Sequence, residues 1–318
     1  TGTDSYIRAY VTSYINGVFA ARSYYQRVEN PEASMVKVGS QALLETSSRT
    51  IADGFVQSAG ETQSSARSPG YINVYGYWRY LNEFAGYSPM RYCTVKLFDS
   101  DPWNDHVLLR TSYTDANGYY SFTNVDNYDG IGEDGLDIFV EVYAESSAAT
   151  TKDGSGNLYG SYSPKLDNVA DGNHDFGTRA SILYNDALLA VDAAITEYQW
   201  IDNKVSWTRS QILIKWPVGT WPQHVYQWRT ADGVITTDWI ELPNKATASW
   251  DHVTVHHEYG HGVMVAAYGW NRNNMPPTSH GGESHFVYSE KDGGFAIIEG
   301  WAEFMLSLIH ISEPTRPY

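Results

Sequence analysis

Short runs of alternating apolar and polar residues fill the stretch from Tyr71 to about Ala148, and they constrain the fold more than any other feature. The runs YINVYGYWRYL, YCTVKLFDSD, HVLLRTSYTD, GYYSFTNV and GLDIFVEVYAE are separated by turns rich in Asp, Asn and Gly. A period of two places apolar side chains on one face of a strand. Several short strands at this spacing predict a small antiparallel β-sandwich of the immunoglobulin-like kind over residues 70–148.

The hydrophobic period changes after this stretch. Residues 149–177 are polar and predict a linker. After Thr178, apolar residues recur at the spacing of an amphipathic helix. They are Ile182, Leu183, Leu189, Val191, Ile195 and Tyr198. QILIKW and GVITTDWIEL predict strands, and SWDHVTVHHEYGHGVMVAAYG predicts a helix with Ser249 as its N-cap. This order predicts an α+β domain over residues 178–305 and a multidomain chain.

The composition argues against two classes of protein. The net charge is -16, whereas a nucleic-acid binder needs clustered Lys and Arg to contact phosphates, so we predict no nucleic-acid partner. No apolar run approaches the roughly 20 residues that cross a bilayer, so no transmembrane segment is predicted. The single cysteine, Cys93, excludes an internal disulfide and is expected to be a buried strand residue.

Both ends of the chain stand outside these domains. Residues 1–69 are unassigned, although SYINGVFAARSYYQRV is compatible with a helix. The chain starts without Met and without a basic and then apolar leader, which is typical of a processed end or the edge of a fragment. The last residues, LSLIHISEPTRPY (306–318), resemble a translated sequencing-library adapter. We therefore expect the native sequence to depart from this chain at about Met305, which truncates the α+β domain, and His310 and Glu313 are not counted among the candidate functional residues.

The helix predicted around DHVTVHHEYGH carries the chemistry. His257 and His261 are four residues apart, so on a helix they lie on one face and can converge on one zinc ion at about 2.0–2.1 Å each. Glu258 follows the first of them and can take a proton from a zinc-activated water and pass it to a leaving amine. His252 and His256 have the same spacing, but they face about 100° away and are expected to be structural.

A zinc site needs a third protein ligand. The extended motif with a third histidine is excluded, because Met264 and Ala267 occupy its positions. Downstream, GGFAIIEGWAEFMLS resembles the E-G-x-A-[DE] helix of gluzincins, the thermolysin-like and aminopeptidase-like zinc peptidases. This resemblance implies that Glu299 is the third ligand and that Glu303 orients a zinc-binding histidine. The 37 residues between His261 and Glu299 exceed the usual spacing, which implies a bacterial gluzincin subgroup outside the standard families.

Three further residues in the intervening loop, His280, His285 and Tyr288, are candidates for stabilising an oxyanion or contacting substrate, with a purely structural role left open. The strand GVITTDWIEL is either an ordinary core strand or the edge to which an extended peptide adds, as substrates do in gluzincins.

The predicted sandwich has a family resemblance of its own. TVKLFDSDPWNDHVLLRTSYTDANGYYSF resembles transthyretin-like sandwiches related to the carboxypeptidase regulatory domain, with their V-x-L-x-D strand followed by T-D-x-x-G-x-Y-x-F. The matching residues are Val95, Leu97, Asp99, Thr114, Asp115, Gly118, Tyr120 and Phe122. Calcium sites are conceivable at Asp99, Asp101 and Asp105, or at Asp126, Asp129, Glu133 and Asp134. Neither set has the EF-hand pattern, so solvated turn carboxylates are favoured.

Together these features predict a zinc metallopeptidase that acts on peptide or protein substrates. Many Tyr, Trp, Ser, Thr, Asn and Gly residues with few Lys are typical of a secreted or surface bacterial protein. The alternative is a non-catalytic, adhesin-like surface protein whose metal site is structural. A third possibility is an inactive piece of a genuine enzyme.

Overall fold

The computed structural model describes residues 70–82, 86–100, 106–130, 135–181, 185–244, 251–280 and 291–312, with side chains as far as residue 309. It also gives the backbone of three earlier strands, β1 (Ser5–Ile15), β2 (Val18–Val28) and β3 (Ser47–Ile51). The chain divides into two units. The first comprises Thr1–Glu145 and Gly156–Leu188, and the second comprises Ser146–Ser155, Leu189–Lys245 and Trp250–Tyr318.

The first unit is built mainly from two β-sheets, consistent with the predicted β-sandwich. One sheet has the order β7 (Val107–Tyr113), β6 (Thr94–Asp99), β9 (Ile138–Tyr143), β11 (Leu158–Tyr162), with β3 beside β11. In the other, β4 (Tyr71–Leu81) lies between β12 (Gly172–Ser181) on one side and β5 (Tyr87–Pro89) and β8 (Tyr119–Asp126) on the other. All these pairs are antiparallel except the parallel pair of β12 with β4.

Alternation along β4 explains how the sandwich buries its core. Ile72, Val74, Trp78 and Tyr80 are fully buried and Gly76 between them is buried as well, whereas the alternate residues at 73, 75, 77 and 79 are at least partly exposed. This is the period of two that the sequence predicts. Cys93 is also buried, as predicted, although it immediately precedes β6 instead of lying within a strand.

A tight turn between β7 and β8 uses the T-D-x-x-G residues. The Asp115 carboxylate accepts hydrogen bonds from the backbone N–H groups of Asn117 (2.7 Å) and Tyr119 (2.9 Å). Gly118 has a φ of 77°, a left-handed conformation that glycine adopts without steric cost. Its carbonyl accepts a hydrogen bond from the backbone N–H of Trp78, at 2.9 Å. The turn therefore fixes β8 against the core strand β4.

Gly118→Ala is expected to lower the free energy of unfolding of the first unit by about 1–3 kcal/mol. The added Cβ would combine a strained φ with a position 2.3 Å from the backbone oxygen of Trp78. Gly156→Ala is the matched control, because Gly156 also has a positive φ but has open space around it. Hydrogen exchange of the backbone amides of β4 and β8 at increasing urea concentrations measures the free energy of unfolding of both variants. Equal losses of stability in the two variants would contradict a role for the Trp78 contact.

Residues 149–177 form strands instead of the predicted linker. They contain β10 (Ala149–Lys152), β11 and the first part of β12. Their hydroxyl groups are not solvated as a linker would require: Ser161 Oγ lies 2.7 Å from Ser181 Oγ, and Ser163 Oγ accepts a hydrogen bond from the backbone N–H of Val140 at 2.9 Å. Polar residues whose hydroxyl groups are satisfied in this way can occupy buried strands.

The N-terminal strands β1 and β2 pair antiparallel, with Ile15 opposite Val18, where a helix was compatible with the sequence. The sequence between them is Asn16-Gly17, and an Asn-Gly dipeptide between two strands is the strongest short-range signal for a hairpin.

The second unit combines a mixed sheet with helices. The order of the sheet is β14 (Gln223–Trp228), β15 (Ile235–Glu241), β13 (Ile212–Lys215), β10. β10, β13 and β15 run parallel, and β14 is antiparallel to β15. The segment GVITTDWIEL therefore forms a core strand, β15, and β14 is the outermost strand of this sheet within the described residues.

Three helices complete the described fold: α1 (Asn185–Val205), α2 (His252–Ala267) and α3 (Gly293–Ser312), with a short 3-10 helix at Arg272–Asn274. The N-cap of α2 is Asp251, one residue before the helix, whose carboxylate accepts a hydrogen bond from the Thr254 N–H at 2.8 Å. The predicted cap, Ser249, lies outside the described residues. The described helices include none that is long and apolar enough to cross a membrane. α3 continues past Met305, and the predicted foreign origin of residues 306–318 stays a prediction.

Candidate metal centre

Helices α2 and α3 approach each other closely because their contact is built from small residues. A Cβ added to Gly260 would lie only 3.2 Å from the Cα of Ala302. The indole Nε1 of Trp301 donates a hydrogen bond to the Gly260 carbonyl at 3.1 Å. Asp292 caps α3 by accepting a hydrogen bond from the Phe295 N–H at 2.8 Å. These contacts hold one face of α3 against the histidine face of α2.

Three potential ligand atoms converge where the helices meet. The Nε2 atoms of His257 and His261 are 3.2 Å apart, and Glu299 Oε2 lies 3.4 Å from the first and 3.5 Å from the second. Ligands bonded to a tetrahedral zinc at about 2.0–2.2 Å are separated by about 3.3–3.6 Å. Within the described residues, this is the one group of three His, Cys, Asp or Glu residues close enough to hold a metal ion. The donor set and its spacing therefore fit zinc.

Two more glutamates flank these atoms. Glu303 Oε1 lies 3.2 Å from Nδ1 of His257, the ring nitrogen that is not directed at Glu299. A carboxylate in this position fixes the tautomer and the orientation of an imidazole. Glu258 is buried on α2, next to His257, with 8% of its surface exposed. The role of Glu258 was predicted from the spacing of the motif and that of Glu303 from the gluzincin resemblance, and the structure places Glu303 in contact with His257.

The carboxylates and the burial act in opposite directions on the two histidines. Burial alone lowers the pKa of His257, but three carboxylates outweigh it and raise the pKa above its usual value; they belong to Glu299, Glu258 and Glu303. On His261, burial outweighs the attraction of Glu299 and holds the pKa below its usual value. The cluster is thus rich in negative charge and contains a neutral imidazole, which suits a divalent cation.

The other two histidines of α2 face away from this cluster. His252 Nε2 lies 3.3 Å from Asp192 Oδ2, and His256 Nδ1 lies 3.3 Å from Glu197 Oε2. Both carboxylates belong to α1, and all four side chains are buried. These pairs join α2 to α1, as the expected structural role requires.

A buried group that the sequence did not single out lies on the sheet side of His261. His224 on β14 has its ring centroid 6.3 Å from that of His261, with 25° between the ring planes. Its Nε2 is 2.8 Å from Asp238 Oδ2, and Arg209 donates two hydrogen bonds of 3.0 Å to the same carboxylate. No sequence motif contains these residues, because each comes from a different segment of the chain.

Electrostatics define the charge states of this group. Burial alone raises the pKa of Asp238, but its bonds to His224 and Arg209 outweigh burial and hold the pKa below its usual value. Burial lowers the pKa of His224 and outweighs the effect of Asp238. A neutral His224 therefore lies beside an ionised Asp238 that is paired with a charged Arg209.

The remaining predicted residues are described only in part. His280 lies at the end of a described segment, where its backbone N–H donates to Thr278 Oγ1 at 3.1 Å. His285 and Tyr288 lie outside the described residues, as do the possible calcium ligands Asp101, Asp105, Glu133 and Asp134. Asp99 accepts hydrogen bonds from the N–H groups of Ser100 and Asp137, which is a structural role. Calcium binding stays a prediction.

Comparison of the chain with protein-family models gives no match, and comparison with curated proteins gives none. Two solved structures are partly similar. A 9R-lipoxygenase from Cyanothece PCC8801 has 15% identity and a TM-score of 0.27, and the match covers 46% of this chain and 27% of that one. A candidate carbohydrate binding protein from Pseudomonas aeruginosa has 14% identity and a TM-score of 0.22, with 36% and 91% covered. TM-scores this low carry no argument.

Proposed function

We propose that this protein is a zinc-dependent peptidase of the gluzincin type, in which His257, His261 and Glu299 hold the metal. The observation that carries the proposal is the convergence of their three ligand atoms at separations of 3.2–3.5 Å. They lie within about 0.1 Å of the range of about 3.3–3.6 Å that separates ligands on one tetrahedral zinc. Peptide or protein substrates and a secreted or surface location belong to the same proposal.

The surroundings of the three ligands favour a catalytic metal over a structural one. Structural zinc sites are closed by a fourth protein ligand, whereas catalytic sites keep one position open. Within the described residues, His224 is a further imidazole whose ring lies beside His261, but the two ring centroids are 6.3 Å apart. Two imidazoles on one tetrahedral zinc have centroids about 5 Å apart, a spacing that the 4.8 Å between His257 and His261 matches. His224 is therefore too distant to close the site.

Glu258 is the proposed general base and acid. A zinc ion in this site supplies a Lewis acid that activates water and polarises a carbonyl. The Glu258 carboxylate takes the proton released as the water oxygen bonds to the carbonyl carbon. It then donates that proton to the leaving amine nitrogen as the C–N bond breaks. The proton count balances, and Glu258 returns to its ionised form.

The direct test is zinc content and peptide hydrolysis on the same preparation. We expect one zinc per chain by elemental analysis and cleavage of an unfolded protein such as casein that stops on chelation and returns with zinc. His261→Ala should lose both, whereas His174→Ala, a histidine of β12 in the first unit, should retain both. Zinc without hydrolysis would refute peptidase activity of this chain and leave the adhesin-like protein and the inactive piece of an enzyme as alternatives; absence of zinc would refute the site.

Glu303→Ala is expected to weaken zinc binding by about 10–100-fold, the usual cost of removing the partner that orients a ligand. The side chain of Glu303 is 57% exposed, so its truncation should leave the fold intact. Gly300→Ala is the matched control on α3, because a Cβ there meets no atom within 4 Å. Competition with a chromogenic chelator measures both affinities. An unchanged affinity in the Glu303 variant would show that the 3.2 Å contact does not support the ligand.

A further inference from the structure

His224 is a buried polar residue beside the metal centre for which the proposed reaction gives no role. It lies on β14, the outermost strand of its sheet within the described residues, yet its side chain is only 3% exposed. Its ring lies nearly parallel to the ring of His261, and its Nε2 is engaged by Asp238. The His224 imidazole therefore lies beside the proposed zinc ligand His261 but is not itself a zinc ligand.

The bond from His224 to Asp238 begins a rigid polar chain. Arg209 donates to both oxygens of Asp238, and the side chains of both residues are at most 4% exposed. The Arg209 guanidinium also lies over the rings of Tyr259 and Trp270, 5.7 Å and 5.5 Å from their centroids. A planar guanidinium held by two parallel hydrogen bonds and two aromatic faces has little freedom to move.

A glycine in helix α2 leaves space for the Arg209 side chain. Gly262 follows His261, and a Cβ added to it would lie 2.1 Å from Nη1 of Arg209. Glycine in a helix interior costs about 1 kcal/mol relative to alanine, so its presence here is explained by the space that the guanidinium needs. The chain therefore runs from the helix backbone beside His261, through Arg209 and Asp238, to a ring that packs on His261 itself.

We propose that His224 is a positioning residue of the metal centre: Arg209 and Asp238 hold its imidazole against the ring of His261, which keeps Nε2 of His261 directed at Glu299. This inference rests on the proposed metal site, but it does not require peptidase activity. Metal ligands must be held within about 0.5 Å of their productive geometry, and buried supporting contacts are what hold them. The ring of His224 limits rotation of the His261 ring on the side of the sheet, whereas Glu299 of α3 contacts His261 through its Nε2 atom.

The experiment measures binding of Co²⁺, whose visible absorption reports the geometry of its ligands, to the full chain. His224→Gln keeps a donor for Asp238 but loses the ring, and His224→Phe keeps a ring but loses the anchor. We expect both variants to bind Co²⁺ about 10–100-fold more weakly with an altered visible spectrum. His252→Gln is the matched control: it is also a buried histidine of the second unit beside a carboxylate, but its ring packs on His256.

The outcomes separate this inference from the proposed function. If His252→Gln lowers the urea midpoint as much as the His224 variants but keeps the wild-type Co²⁺ affinity and spectrum, general destabilisation cannot explain the effect and the inference holds. Wild-type affinity and spectrum in both His224 variants would overturn it. A wild-type chain that binds no Co²⁺ would overturn both proposals. Binding without hydrolysis would refute the peptidase alone, while the His224 variants still decide the positioning role.

Discussion

Glu258→Gln is expected to lower the rate of peptide hydrolysis by about 10²–10⁴-fold while leaving one zinc bound per chain. Glutamine has the shape of glutamate but cannot accept a proton at neutral pH, so the attacking water loses its base and the leaving amine its acid. The metal remains because its proposed ligands are His257, His261 and Glu299, whose convergence does not involve Glu258. Steady-state kinetics beside elemental analysis measures both properties.

The loss should appear in kcat more than in KM, because a proton transfer contributes to the transition state and not to substrate binding. Glu303→Ala provides the comparison, since its loss should be restored by excess zinc and that of Glu258→Gln should not. Near-normal turnover in zinc-loaded Glu258→Gln would exclude Glu258 as the base, even if the zinc site itself is confirmed.

The sequence predicted the parts of the site that local geometry determines. A spacing of four on a helix is enough to place His257 and His261 on one face, and the hydrophobic period predicted the helix itself, although its N-cap is Asp251 and not the predicted Ser249. Glu299 lies 37 residues beyond His261, so it could be found only through the resemblance of EGWAE to a known helix. The structure supplies the reason that the two helices meet, which is the small-residue contact of Gly260 with Ala302.

The parts that were missed depend on tertiary contacts. His224, Asp238 and Arg209 come from two strands and a connecting segment, and no local pattern joins them. The prediction of a linker over residues 149–177 was wrong for a related reason. Ser161 in β11 and Ser163 just after it are polar in the sequence, but hydrogen bonds with partners distant along the chain make their burial favourable. The sequence shows which side chains are polar, and only the fold shows whether water or protein satisfies them.

Asp238→Ala is expected to lower the free energy of unfolding of the second unit by about 3–5 kcal/mol, the usual cost of removing one partner of a buried ion pair. An arginine guanidinium is always charged in proteins, so the variant leaves a positive charge buried without its two 3.0 Å bonds. His224 also loses its 2.8 Å partner. Urea denaturation followed by tryptophan fluorescence reports mainly on this unit, because all tryptophans except Trp78 and Trp103 belong to it.

The double variant Arg209→Met/Asp238→Leu tests the physical reason for this loss. If the penalty is the uncompensated charge, replacing both partners with apolar side chains of similar size should recover most of the lost stability. The recovered protein should nevertheless bind metal less tightly, because the ring of His224 is no longer anchored against His261. A double variant as unstable as Asp238→Ala would show that the carboxylate stabilises the unit through something other than Arg209. Wild-type stability in Asp238→Ala would contradict the prediction. It would show that the Arg209 charge finds another partner and that the pair with Asp238 adds nothing to the free energy of unfolding.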